Sequence, residues 1–229
     1  LVPKVEDAGQ IKEVEKKVLE IKAEKNIADD IFLMPIIESA LGVIKSYEIA
    51  SASDMVCSLA IGLEDYTADI GVQRTNEGKE SIFARSMLIN AAKAAGVQAI
   101  DTVFSDISDM EALRESVIEA KTLGFEGKGC IHPRQVQVVN EAFAPNEREI
   151  EKAKKIVIAF EKAEAEGIGV VSLGSKMIDA PVVKRAQHTI ELAMLINKSI
   201  RTGESWKKLI NFFEKGMSLN YENGKKRSG

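Results

Sequence analysis

Apolar positions along the chain follow two rhythms that take turns. Ile11, Val14, Val18 and Ile21 fall at helical spacing among Lys and Glu, which predicts a helix over residues 10–24. The run Ile31-Phe32-Leu33-Met34-Pro35-Ile36-Ile37 has no polar alternation, as expected of a parallel strand covered on both faces. The same succession then repeats. The pattern predicts a helix over 40–50, a strand over 55–62, a loop over 66–78 and a helix over 79–95 closed by Gly96. A strand over 99–104 follows, then a helix that Ser108 and Glu111 open as a capping box and Gly124 ends. A short strand over 129–132 precedes a helix opened by Pro133. Strands and helices alternating in this way predict βα units on a parallel sheet.

With a partial strand at 1–5, the count is five strands in series, and the reading is an α/β fold made of roughly the last five βα units of a TIM (β/α)8 barrel. A whole barrel takes about 250 residues, and the chain starts in mid-pattern at Leu1, so the front of the barrel is expected to be absent. The barrel part is assigned to residues 1–145. Past Pro145 the rhythm changes, and 146–229 reads as a helical region. Its parts are a helix opened by Asn146 and Glu149 and ended by Gly167, a loop over 167–181, a helix over 182–199, and a last stripe of Trp206, Leu209, Ile210 and Phe213.

Composition narrows the function classes. The 229 residues are 45% apolar and 29% charged, enough to fill a core and too apolar for a disordered chain. The 31 Lys and Arg nearly balance 35 Asp and Glu, which excludes nucleic-acid binding through bulk charge. No apolar run approaches the roughly 20 residues of a membrane span, and no leader pattern is visible. Cys57 and Cys130 sit in apolar runs, so no disulfide framework is expected and a cytoplasmic location is.

Barrels collect their chemistry at the C-terminal ends of strands. The residues there are Glu6, Glu38, Asp65, Asp106 and His132. Carboxylates suit a hard cation such as Mg2+, which keeps several waters and binds through one or two carboxylates. Glu38 and Asp65 end neighbouring strands and so can converge on one ion; each could instead cap the following helix. His132 reads as a general base or as a turn residue, His188 as a surface or interface group, and Cys130 as core. Gly127-Lys128-Gly129 hints at a phosphate loop without Walker spacing.

Several motifs in order carry a resemblance to a known family. They are Pro35-Ile36-Ile37-Glu38-Ser39-Ala40-Leu41-Gly42, Gly62-Leu63-Glu64-Asp65-Tyr66, Arg74-Thr75 with Glu77-Gly78, and Ala99-Ile100-Asp101-Thr102-Val103-Phe104-Ser105-Asp106. Gly124-Phe125 with Gly127-Lys128, Ile131-His132-Pro133 with Gln135, and Lys176-Met177-Ile178-Asp179 with Pro181 follow. Over residues 1–195 the sequence resembles the HpcH/HpaI aldolase family, and within it the citrate lyase beta type. The resemblance implies that Glu38 and Asp65 hold Mg2+ and that Glu38 also touches substrate. It further implies that the segment around Asp179 is a lid reaching a neighbouring subunit, with Asp179 in a catalytic proton transfer. Val2-Pro3-Lys4-Val5-Glu6 resembles the family's fourth strand, so the substrate-binding arginine of the preceding units has no counterpart here.

The activity implied is retro-Claisen cleavage of a 3-hydroxy-acyl thioester, with citryl-acyl carrier protein first and citramalyl-CoA or malyl-CoA second. The partners implied are the acyl carrier protein or CoA thioester, a homo-oligomer (trimer or hexamer) and other citrate lyase subunits. Two other readings compete: a non-catalytic assembly subunit, and a phosphoenolpyruvate-using barrel enzyme.

Overall fold

The computed structural model describes residues 1–75, 77–165, 171–173 and 176–195. They form two units, residues 1–143 and the part from Ala144 onward, each described by itself.

The first unit opens with a short extended segment at Val2, which pairs in parallel with Pro35. Helix α1 (Ala8–Lys25) starts at Asp7 because Gln10 N–H donates to Asp7 Oδ1 while the Gln10 side chain accepts from the Asp7 N–H, a reciprocal cap. It stops at Asn26 in the left-handed region. The order is then β1 (Ile36–Ile37), α2 (Ala40–Ile44), α3 (Ser46–Ala50), β2 (Ser58–Ile61), α4 (Leu63–Asp69), α5 (Ile82–Ala95), β3 (Gln98–Asp101), α6 (Met110–Leu123), β4 (Gly127–Lys128) and α7 (Pro133–Phe143). The four strands pair in chain order and all in parallel, as consecutive staves of a barrel do. The core lies between sheet and helices, with Ile37, Leu59 and Ala99 from the strands fully buried against Ile11, Ile49, Ala84 and Leu88 from the helices.

Several sequence expectations are corrected. The run 31–37 is regular strand only at its end, with isolated bridges at Leu33 and Pro35, because proline lacks the N–H that a ladder needs. The loop expected over 66–78 begins as helix α4, so Asp65 stands in a first helical turn. Helix α6 is capped by Asp109, which accepts from Ala112 N–H, and not by a Ser108–Glu111 box. The last strand lies at Gly127–Lys128 rather than 129–132, since Ile100 and Asp101 pair there. That places Ile131 in solvent and makes the hinted phosphate loop a strand.

In the second unit, α8 (Glu147–Ala165) and α9 (Ala180–Leu195) pack through Ala153, Val157, Ala186 and Ile190. The segment read as a loop over 167–181 contains an antiparallel hairpin, β5 (Val171–Leu173) with β6 (Lys176–Ile178), in which Ser172 faces Met177. The expected cap at Gly167, residues 196–199 of the last helix, and the Trp206–Phe213 stripe lie outside the described residues.

Candidate active site at three strand ends

Val2, β1 and β2 run side by side, so the residues that follow each of them emerge together. Lys4, Glu6, Glu38, Ser39, Asp65, Ala68 and Asp69 line one pocket of about 300 Å³. Glu38 Oε1 accepts from the Lys4 backbone N–H at 2.8 Å, and the Lys4 ammonium stands 3.0 Å from Asp65 Oδ2. The two carboxyl groups also interact directly with each other. Lys4 makes both contacts from a left-handed backbone, with φ of 53°, a conformation that costs a residue bearing a Cβ.

Electrostatics separate the two acids. Burial pushes the Glu38 carboxyl above its ordinary value, and the Asp65 charge adds to this against the Lys4 N–H. The Lys4 ammonium holds Asp65 below the usual aspartate range, and the same contact raises Lys4. Glu38 is half-buried and Asp65 exposed, so the pair forms the floor and rim of an open site.

Neither acid serves as a helix cap. Helix α2 is capped by Ser39 Oγ, which accepts from Gly42 N–H at 3.1 Å, and α4 starts at Gly62 with no side-chain cap. Gly62 has a separate function here. A Cβ at that position would stand 2.6 Å from Glu38 Oε2, so only glycine lets the carboxylate lie across the β2 end.

The other candidates go elsewhere. Glu6 joins the pocket, whereas Asp106 Oδ1 accepts from the N–H and the hydroxyl of Ser108 at 2.8 and 2.6 Å and closes a turn. His132 Nδ1 accepts from Arg134 N–H at 3.1 Å, the turn reading of that residue. His188 is a surface group 3.8 Å from Glu191. Cys57 and Cys130 are exposed rather than core, and partial cover over the Cys130 sulfur pushes its thiol up, away from a nucleophile. Asp179 belongs to the second unit and caps α9, its Oδ1 accepting from Val182 N–H at 3.1 Å.

Sequence reasoning missed Lys4 as a site residue and missed a buried ionic network. In that network, Arg85 donates to both oxygens of Asp101 at 3.2 and 3.1 Å, and Lys128 donates to Asp101 at 2.7 Å. Arg85 also reaches Glu119 at 2.7 Å and lies over the Phe125 ring at 5.5 Å. Arg74 ties Glu64, at 2.6 Å, to the Val103 carbonyl at 3.1 Å and so anchors the α4 start to the end of the β3 run.

The family model for HpcH/HpaI aldolase/citrate lyase matches residues 1–133. The chain belongs to this family. It is 42% identical over 195 residues to the citrate lyase subunit beta of Leuconostoc mesenteroides subsp. cremoris, covering 84% of this chain and 64% of that protein. It is 32% identical to the mitochondrial citramalyl-CoA lyase of Mus musculus, over 86% of this chain and 61% of that protein. The chain thus spans less than two thirds of the length of these curated relatives. Among solved structures, protein CitE of Mycobacterium tuberculosis in complex with magnesium, acetoacetate and coenzyme A superposes with a TM-score of 0.68 at 29% identity, covering 83% of this chain and 66% of that one. Among the described residues, no helix is long and apolar enough to cross a membrane.

Proposed function

We propose that this chain carries the metal-binding half of a magnesium-dependent carbon–carbon lyase that splits a 3-hydroxy-acyl thioester. The observation behind this reading is that Glu38, directly after β1, and Asp65, in the first turn of the helix that follows the adjacent β2, meet in one solvent-open pocket. Among the described residues no group of three or more His, Cys, Asp or Glu side chains could enclose a metal ion. A pair of carboxylates without a third protein ligand suits Mg2+, which keeps waters and completes its shell with substrate oxygens. The M. tuberculosis relative, crystallised with magnesium, supports the same ion.

When bound, Mg2+ would act as a Lewis acid and template for the hydroxyl and carboxylate of the oxo-acid half. Glu38 and Asp65 orient that half by fixing its position at the strand ends. In the cleavage the substrate hydroxyl gives up its proton to solvent water, and its O–H electron pair becomes the new carbonyl. The bond between its carbon and the thioester α-carbon breaks with its pair passing to the α-carbon, so that a 2-oxo acid and a thioester enolate result. The enolate carbon then takes a proton, a role assigned to Asp179 on a lid contributed by a partner subunit. The Asp179 carboxylate also caps α9, so its replacement tests both roles.

Citryl-acyl carrier protein, giving oxaloacetate and the acetyl thioester, is the proposed substrate, on the strength of the citrate lyase beta relative. Citramalyl-CoA, which the mouse relative favours, or malyl-CoA is the alternative. The proposed setting is a homo-oligomer, trimer or hexamer, in the cytoplasm with other citrate lyase subunits.

The test is a magnesium titration by calorimetry with wild type and Glu38→Gln, paired with cleavage assays on both thioesters using the full-length protein. Glu38→Gln should lose at least tenfold in Mg2+ affinity and nearly all turnover. An unchanged titration would remove Glu38 as a ligand. Asp179→Asn should retain Mg2+ binding and lose turnover, and loss of α9 helicity with no catalytic defect in the folded fraction would leave it a cap alone.

A further inference from the structure

Lys4 bonds to both proposed ligands, and it does so with two different groups. Its main-chain N–H holds Glu38 Oε1 and its ammonium holds Asp65 Oδ2. The side chain is 70% exposed and the Asp65 side chain 54%, so the ion pair is screened and adds little to stability. Yet the residue takes a left-handed backbone, φ 53°, where glycine would be at ease. Stability alone therefore gives no reason for a charged residue with a Cβ at this position. What the position does supply is a monovalent cation on the carboxylate pair where the divalent ion is proposed to sit.

We propose that Lys4 is a displaceable counter-ion for the metal site. Its ammonium neutralises Asp65 while the site lacks a divalent cation and swings out to solvent when one binds. Its N–H stays on Glu38 throughout and keeps that carboxylate aimed into the pocket. The two contacts differ in mobility for a physical reason. The N–H belongs to backbone pinned by Val2 and Val5, which bond to Met34 and Ile36, whereas the ammonium ends a flexible, exposed four-carbon stem. The inference rests on the proposed metal reading and adds that the chain carries its own competitor for the ion, which keeps affinity moderate until substrate oxygens join the shell.

The experiment is a Mg2+ titration by calorimetry on the full chain with wild type, Lys4→Met, Lys4→Gly and, as control, Glu38→Gln. Lys4→Met removes the charge, and Lys4→Gly removes the side chain while accepting the left-handed backbone, so one of them folds even where the other does not. Both should bind Mg2+ about three- to tenfold more tightly than wild type. In wild type, acylation of Lys4 by acetic anhydride, read by mass spectrometry, should speed up severalfold on adding Mg2+. Equal or weaker Mg2+ binding by both Lys4 variants, with wild-type binding still abolished by Glu38→Gln, overturns the Lys4 inference alone. Absence of any Glu38-dependent Mg2+ binding in wild type overturns the metal reading itself.

Discussion

Two clusters in the same sheet use the same charge types to opposite ends. At the strand ends, Lys4 meets Asp65 and Glu38 in open pocket; inside, Lys128 meets Asp101 and Arg85 with side chains 3%, 1% and 6% exposed. In the inner cluster both Asp101 oxygens are engaged by protein donors, Oδ1 by Arg85 and Oδ2 by Arg85 and Lys128, and burial closes the carboxylate to a ligand. In the outer one, Glu38 takes a single backbone N–H and Asp65 a single ammonium, and the pocket borders both. Burial makes the first cluster a matter of folding, since unpaired charge is costly where water is excluded. Exposure leaves the second free to exchange partners.

The largest expected effect breaks the inner cluster. Asp101→Ala leaves Arg85 and Lys128 buried without their shared anion, and removing one partner of such a pair costs about 3–5 kcal/mol. Against a total stability of about 5–15 kcal/mol, that should lower the urea midpoint sharply or prevent folding. A loss under about 1 kcal/mol would mean that the cluster is as exchangeable as the outer one, and the contrast between them would fail.

A smaller effect sharpens the contrast from the other side. Gly62→Ala places a methyl 2.6 Å from Glu38 Oε2 and 3.0 Å from its Cβ, so the Glu38 side chain must turn away. Overpacking of this kind costs about 1 kcal/mol of stability, while the Mg2+ affinity proposed for the pair should fall about tenfold. Denaturation and calorimetry on the same sample separate the two quantities. An unchanged affinity would show that the carboxylate has another way to reach the ion.

The difference between the clusters also explains what could be read in advance. Glu38 and Asp65 were legible because each acid directly follows an apolar run, and strand order alone makes their neighbours adjacent. Lys4 was not, since its part depends on a backbone angle and on the reach of a flexible side chain. Asp101 stood inside the apolar run 99–104, a sign that some buried cation must answer it. Naming that cation needs the register: Asp101 and Lys128 are directly opposite partners of β3 and β4. The expected strand over 129–132 lost that partner by taking Cys130 and Ile131, which are exposed, for core. Apolar composition marks a strand poorly where the ladder is only two residues long.

The smallest effect concerns pH and isolates Lys128. Burial lowers the pKa of its ammonium below 10.5, and Asp101 offsets this only in part. Between the lowered folded value and the unfolded one, the unfolded chain binds more protons, so stability rises with pH across that window. Below the window Lys128 is charged in both states and its burial penalty is constant. Lys4 runs the other way: its pKa is raised, so its contribution is present below 10.5 and lost as pH rises through the folded value. A difference measurement removes that opposing slope. Lys128→Met keeps the stem length and leaves Asp101 held by both Arg85 donors. Urea midpoints of wild type minus Lys128→Met should therefore stay level below the lowered folded value, climb as pH rises through it toward 10.5, and then level off. A flat difference would show that Asp101 fully compensates the buried charge, and a falling one that the ion pair outweighs burial.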